Sequence, residues 1–384
     1  MSMQNSNSHL PIADNNPKVV IVADWLTNMG GAENVVLAMH EAFPDAPIYT
    51  SVYTPENMPA FNHLDVRTTY LQNLPLPLRK LHKFFPMLRV NAFRKLDLSE
   101  FDIIITSSSA ESKQVQKTRP GQIHICYCHT PIRYYWSHYD EYRHDPGFGK
   151  LNWLIRLLMP LMIPPLKKAD YKAAQKVDVF ISNSSEVQKR IKKYYGKAAT
   201  VIHPPVDVDR FTPARTRGDY YVALGRQVPY KRIDLAVAAA TKLGIKLRVY
   251  GKGSEHQRLV EMAGPTVQFF TDRFGDASDD VVTTSLNSAK GYIFPAEEDF
   301  GIVQVEALAA GAPVIAYGKG GALDVVQDGE SGVLFHKQSV ESVVDAIKQA
   351  EQINFLPGTL RRKAKRFDKG LFITKLTKVV KDNS

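Results

Sequence analysis

Short apolar runs recur along this chain, each closed by glycine, proline or polar residues and followed by a stretch with helical periodicity. In the first half the runs are residues 18–23 (KVVIVA), 102–107 (DIIITS), 122–128 (QIHICYC), 177–182 (VDVFIS) and 200–203. The second half repeats the pattern at 220–224 (YYVAL), 246–250 (KLRVY), 267–270 (VQFF), 291–294 and 311–316. A continuous apolar run suits a strand buried on both faces, and strands alternating with helices make a parallel sheet. The pattern therefore predicts an α/β protein with two doubly wound domains. Between them, VIHPPVDVDRF reads as a linker, marked by its Pro-Pro pair and the acids that follow.

In open sheets of this kind ligands bind beyond the carboxyl ends of the strands, so the residues that follow each run are the candidates for chemistry. Gly30-Gly31 follows the first run and reads either as a plain tight turn or as a place where phosphate or sugar approaches the backbone. His129 stands directly after QIHICYC, and Asn183-Ser184 after VDVFIS. A single histidine is more often structural than catalytic, but its place at a strand end favours the cleft. Arg226 and Lys231 both project from one strand-to-helix loop, which suits a diphosphate because cations and free N–H groups converge on one anion. The chain is organised around residues 294–311 (FPAEEDFGIVQVEALAAG). An apolar strand ends there, a proline breaks it, three acids follow, and a helix runs from Gly301 to the stop at Gly311. Glu298 lies on that turn and Glu306 in the helix beyond it, so two carboxylates can meet two parts of one ligand. Acids before a helix are also ordinary caps, and spacing alone leaves both readings open.

With 384 residues the chain is long enough for two domains, and its 44% hydrophobic and 23% charged residues are those of an ordinary globular protein. The net charge of +10 points to acidic partners: nucleic acid, nucleotide phosphates or an anionic membrane. Cys126 and Cys128 are too close in sequence to close a useful loop, and they favour a reducing, cytoplasmic compartment. Residues 1–17 lack an apolar core; they read as a disordered tail and not as a signal peptide. Between residues 66 and 96 basic residues include Arg79, Lys80, Lys83, Arg89, Arg94 and Lys95, with no acid and with Leu, Phe and Pro interleaved. This reads as a surface for acceptor or anionic lipid, each cation contributing roughly 1 kcal/mol near such a membrane. Residues 150–168 form a second such segment, apolar in the middle and basic at its ends, with Arg156 and three prolines that make it too interrupted to span a bilayer. The bland reading of both is helices that pack on the core and display solvated cations. No aromatic-stacking signature of an RNA module is visible, which disfavours nucleic acid.

Taken in order, GGAE at 30–33, HTPIRYYW from His129, PPVD, GR…K at 225–231 and the Glu298/Glu306 pair resemble retaining glycosyltransferases of family 4, which have the GT-B fold. The resemblance covers roughly residues 18 to 375. It implies two Rossmann-like doubly wound domains facing across a cleft: 18–205 for the acceptor, 206–365 for the sugar nucleotide, and a helix at 366–384 crossing back to the first domain. By the same resemblance Gly31 lines the cleft, His129 approaches the donor sugar, and Arg226 and Lys231 hold the diphosphate. Glu298, with Phe300, Gly301 and Ile302, meets the sugar, Glu306 meets the ribose hydroxyls, and Arg273 lies near the nucleobase. No metal or other cofactor is implied, and Asp207-Val-Asp209 belongs to the interdomain junction. Asp299 stands where the family often has glycine; EEDFG-type variants look most like bacterial mannosyltransferases. The expected donor is GDP-mannose, and the acceptor a polyprenyl-diphosphate-linked oligosaccharide in polysaccharide or O-antigen assembly, at the inner face of the cell membrane. Alternatives are a UDP-sugar-dependent transferase of the same fold, a non-catalytic nucleotide-sugar-binding protein, and a non-hydrolysing epimerase, which the Glu298/Glu306 and GR…K combination disfavours.

Overall fold

The computed structural model describes residues 17–137, 139, 143, 152–270 and 279–384. Residues 1–16, Arg273 and the side chains of Lys80 and Lys83 lie outside what is described. The first sheet comprises β1 (Val19–Ala23), β2 (Ile48–Thr50), β3 (Val66–Thr68), β4 (Ile103–Ser108), β5 (Ile123–Cys128), β6 (Val179–Ser182) and β7 (Thr200–Val201). Their order is β3-β2-β1-β4-β5-β6-β7, all parallel. The second sheet comprises β8 (Tyr220–Leu224), β9 (Lys246–Tyr250), β10 (Val267–Phe270), β11 (Gly291–Phe294), β12 (Val314–Tyr317) and β13 (Gly332–Phe335), in the parallel order β10-β9-β8-β11-β12-β13. Strand order reverses beside β1 and β4 in the first sheet and beside β8 and β11 in the second. Those two switch points are where the crevices of such sheets open.

The apolar runs work as expected for strands covered on both faces. In β1, Ile21 and Ala23 enter one core cluster while Val20 and Val22 enter another. In β8, Tyr220 and Val222 face one cluster and Tyr221 and Ala223 the other. The two-domain α/β architecture predicted from the sequence is the one observed. The short strands β2, β3 and β13 had no counterpart among the apolar runs singled out. The segment from 152 departs further from its reading: Asn152–Lys176 is one helix that contains Pro160, Pro164 and Pro165. All three prolines are exposed, as are Arg156 and Leu161, so the carbonyls that lose an i+4 donor lie on the outer side of the helix.

The domains are joined twice, side by side. Val206 N–H donates to Phe367 O at 3.0 Å, and Lys369 N–H donates to Val206 O at 3.1 Å. Beyond this bridge the helix Lys369–Asn383 returns to the first domain. Its stripe of Phe372, Leu376 and Val380, spaced by one turn each, joins the cluster of Val35, Met39 and Ile21. Asp207 and Asp209 serve this junction: the Asp207 carboxylate accepts from Arg210 N–H, and Asp209 pairs with Arg361 at 3.0 Å and Lys365 at 2.6 Å.

One assignment in the basic segment is corrected. Arg89 does not reach a membrane or acceptor: its side chain is 2% exposed and pairs with Glu111 at 2.7 Å. It also donates to His82 O and to Tyr134 Oη. The helix Pro86–Arg94 turns Arg89 inward together with Val90 and Phe93, so the carboxylate compensates a cation that the apolar contacts alone would expel.

Candidate active site

Four loops meet at the two switch points. After β1, Asp24 turns its carboxylate towards the loop that follows β4, accepting from the N–H groups of Ser109, Ala110 and Ser112 at 2.7–2.8 Å. This fixes one wall of a small cavity lined by Asp24, Trp25, Glu33, Ser107 and His129. His129 Nε2 shares a hydrogen bond of 2.8 Å with Ser107 Oγ, and the Tyr127 ring meets the imidazole edge-on at 5.1 Å. Burial pushes the His129 pKa down to about 4, partly opposed by the negative charge of Asp299, so the ring is neutral at neutral pH. A neutral imidazole beside the cleft can accept or relay a hydrogen bond without adding charge.

Opposite lies the turn between β11 and the helix Ile302–Ala309. Gly301 takes φ +82° at the helix entry, and a Cβ there would stand 2.4 Å from Gln304 Nε2. The turn is backed by Gly320 and Gly321, whose own Cβ atoms would fall 2.3 Å from Glu298 O and 2.2 Å from the Phe300 Cα. Gly321 N–H donates to Glu298 O at 2.8 Å. Two glycines are thus required where one backbone lies directly on another. On this support Glu298 forms an ion pair with Lys231 from the loop after β8, their side chains 18% and 20% exposed. Arg226, on the same loop, is exposed and donates to Tyr230 Oη at 2.9 Å. Glu306 accepts from Arg210 Nη2 at 3.2 Å.

The two walls touch. A Cβ on Gly31 would stand 2.8 Å from Ile302 Cδ1 across the cleft. Asp299 reaches the first domain with both oxygens: Oδ2 to Arg133 Nη2 and Oδ1 to Arg190 Nη1, each at 2.5 Å. Ser185 N–H donates to Asp324 Oδ2 at 2.7 Å in the same interface. Ser184, of the Asn183-Ser184 pair, caps the helix Ser185–Tyr195 that carries Arg190, and the Asn183 carbonyl meets His203 Nδ1 at 3.2 Å. The structure therefore brings Gly31, His129, Glu298, Gly301, Ile302 and Lys231 to one cleft, with Phe300 buried behind the turn. Arg79, Arg94 and Lys95 belong to the separate basic segment. Arg133, Arg190 and Arg210 were missed by the sequence reading. Arg133 and Arg210 sat unremarked inside the quoted HTPIRYYW and VIHPPVDVDRF runs, whereas Arg190 carries no local signal.

Comparison with known proteins agrees with this fold. A Glycosyltransferase Family 4 domain matches residues 29–210, and a Glycosyl transferases group 1 domain matches residues 206–368. The chain is 30% identical over 216 residues to the GDP-mannose-dependent alpha-(1-6)-phosphatidylinositol monomannoside mannosyltransferase of Mycobacterium tuberculosis, covering 49% of this chain and 56% of that protein. It is also 30% identical over 201 residues to the D-inositol 3-phosphate glycosyltransferase of Geodermatophilus obscurus, covering 44% and 45%. The match thus spans about half the length of these relatives. Among solved structures, sucrose-phosphate synthase from Thermosynechococcus elongatus superposes with a TM-score of 0.72 at 17% identity, covering 95% of this chain and 98% of that one. Anabaena Alr3699/HepE in complex with UDP and glucose superposes with a TM-score of 0.67 at 15% identity, covering 95% and 100%. With the two matches together running from residue 29 to 368, the chain carries a Glycosyltransferase Family 4 domain and a Glycosyl transferases group 1 domain and has the GT-B fold.

Proposed function

We propose that this protein is a retaining glycosyltransferase that moves mannose from GDP-mannose onto a polyprenyl-diphosphate-linked oligosaccharide in cell-surface polysaccharide or O-antigen assembly. The observation that carries the reading is the Lys231–Glu298 pair at a switch point of the second sheet, next to Asp299, whose charge acts on His129 of the first domain. Departing diphosphate accumulates negative charge in the transition state, which Lys231 and Arg226 stabilise while the sugar becomes oxocarbenium-like. Glu298 orients the sugar hydroxyls, helped by Phe300, Gly301 and Ile302, and Glu306 receives the ribose. The acceptor attacks the face that the diphosphate leaves, and a phosphate oxygen takes its proton. Two carboxylates alone would suit a hydrolase, but here each carboxylate carries a basic partner, and Lys231 and Arg226 provide for a diphosphate. Mannose is favoured by the name of the mycobacterial relative and by the EEDFG sequence.

A lipid-linked acceptor brings the enzyme to the inner face of the membrane, where the basic segment at 66–96 and the net charge of +10 favour anionic lipid. The test is thermal stabilisation by GDP, UDP and ADP at matched concentration. Preferential stabilisation by GDP supports a guanosine-sugar donor. Preference for UDP, the nucleotide seen with the Anabaena structure, discards mannose and keeps the mechanism. No stabilisation by any of the three overturns the donor-site assignment.

A further inference from the structure

The helix Asn152–Lys176 is apolar on two opposite sides. Its inner side is accounted for: Met159, Ile163 and Leu166 join Ile132, Tyr135 and Val90 in one core cluster. Its outer side is not. Trp153, Leu157 and Leu161 follow one another at i, i+4 and i+8 and are 66%, 65% and 73% exposed. At 100° per residue, Leu157 and Leu161 point about 200° away from Met159 and Ile163, respectively. A helix needs one apolar stripe to pack on its own domain, so the second stripe answers to something outside the chain.

The stripe does not stand alone. Val90 of the helix Pro86–Arg94 packs in the same core cluster as Met159 and Ile163, and the segment at 76–88 leads into that helix. That segment exposes Leu76, Phe84 and Met87. Among the described residues the charge around this apolar ground has one sign. Arg94, Lys95, Arg156, Lys168 and Lys172 are exposed there. The acid of the long helix, Asp170, is buried against Lys113 at 2.7 Å. A protein partner of ordinary composition has no need of so one-sided a rim, whereas an anionic bilayer does. No described helix is long and apolar enough to cross a membrane.

The geometry points to an insertion surface: the Trp153–Leu157–Leu161 ridge enters the acyl boundary of an anionic bilayer while the surrounding cations hold the headgroups. This rests on the proposed lipid-linked acceptor, and it adds insertion to electrostatic attraction, with a different element supplying the contact.

The experiment uses the full chain with vesicles of phosphatidylcholine containing phosphatidylglycerol, and with phosphatidylcholine alone. The chain has three tryptophans, of which Trp25 and Trp136 are partly buried, so Trp153 should dominate any change on binding. The expected result is a blue shift of emission with anionic vesicles, quenching by lipids brominated near the glycerol, and loss of the shift in Trp153→Phe. Leu157→Glu and Leu161→Glu should each weaken co-sedimentation by at least about tenfold while the melting temperature is retained. Co-sedimentation without a Trp153 shift, fully released by salt, overturns insertion and leaves surface attraction intact. Absence of vesicle binding also overturns it; a dimer that Leu161→Glu breaks would then assign the ridge to a second copy. No nucleotide is needed, so failure here is separable from failure of the donor site, which the GDP and UDP measurement reads.

Discussion

Two lysine–carboxylate pairs in this molecule have the same chemistry and opposite surroundings. Lys113 and Asp170 are fully buried, 2.7 Å apart, and closed on every side. Asp170 Oδ2 also accepts from Trp136 Nε1 and Tyr195 Oη, and Lys113 Nζ donates to Ala110 O at 2.9 Å. Lys231 and Glu298 form their pair at the cleft, each about one-fifth exposed. A buried pair with no access to water is a fixed part of the core, and removing one partner strands the other. A pair at a cleft is exchangeable, because an incoming anion can take the lysine and sugar hydroxyls the carboxylate. The difference teaches that ion-pair geometry does not identify function; access does.

The largest effect that tests the contrast is on stability. Lys113→Met should cost about 3–5 kcal/mol in chemical denaturation, because Asp170 is left buried without its cation. A change under about 1 kcal/mol would show that the buried pair is dispensable. At the cleft the loss should fall on turnover. Lys231→Ala should lower transfer by about 10²–10³-fold, the scale for removing one donor to developing charge, while the melting temperature is held. A folded, fully active variant would remove Lys231 from the diphosphate site.

Asp299 lies between these extremes, 14% exposed with partners in the other domain. Asp299→Asn should cost on the order of 1–3 kcal/mol, the range for charged hydrogen bonds, and lower kcat more than it changes nucleotide affinity. An equal loss in nucleotide binding would mean that Asp299 shapes the donor pocket itself and not its approach to the first domain.

The smallest effect is on pH dependence. Burial holds His129, beside the cleft, and His124, in the core with Nε2 at 3.0 Å from Thr106 Oγ1, near pKa 4 against an ordinary 6.5. Between those values the unfolded chain binds protons that the folded chain refuses, so stability rises with pH there. Both contributions are fully present above about pH 6.5 and are lost as pH falls towards 4. His129→Gln should flatten the melting-temperature profile between pH 4 and 6.5. An unchanged profile would show that His129 titrates freely.

The sequence by itself determined the repeated strand–helix units, because an apolar run of four to six residues has few ways to be buried other than as a covered parallel strand. It also determined the local parts of the site: Glu298 follows its strand, Lys231 follows its own, and Gly301 opens the helix that carries Glu306. Tertiary structure decided everything that depends on long separation. Arg133 and Arg190 reach Asp299 across 166 and 109 residues, and Glu306 takes Arg210 across 96. It also split one basic segment into an inward Arg89 and an outward Arg94 and Lys95, and it gave a proline-interrupted stretch the form of a helix with two apolar sides. Charge pattern states how many cations a segment has; which of them meets water, lipid or a carboxylate depends on what packs against each face.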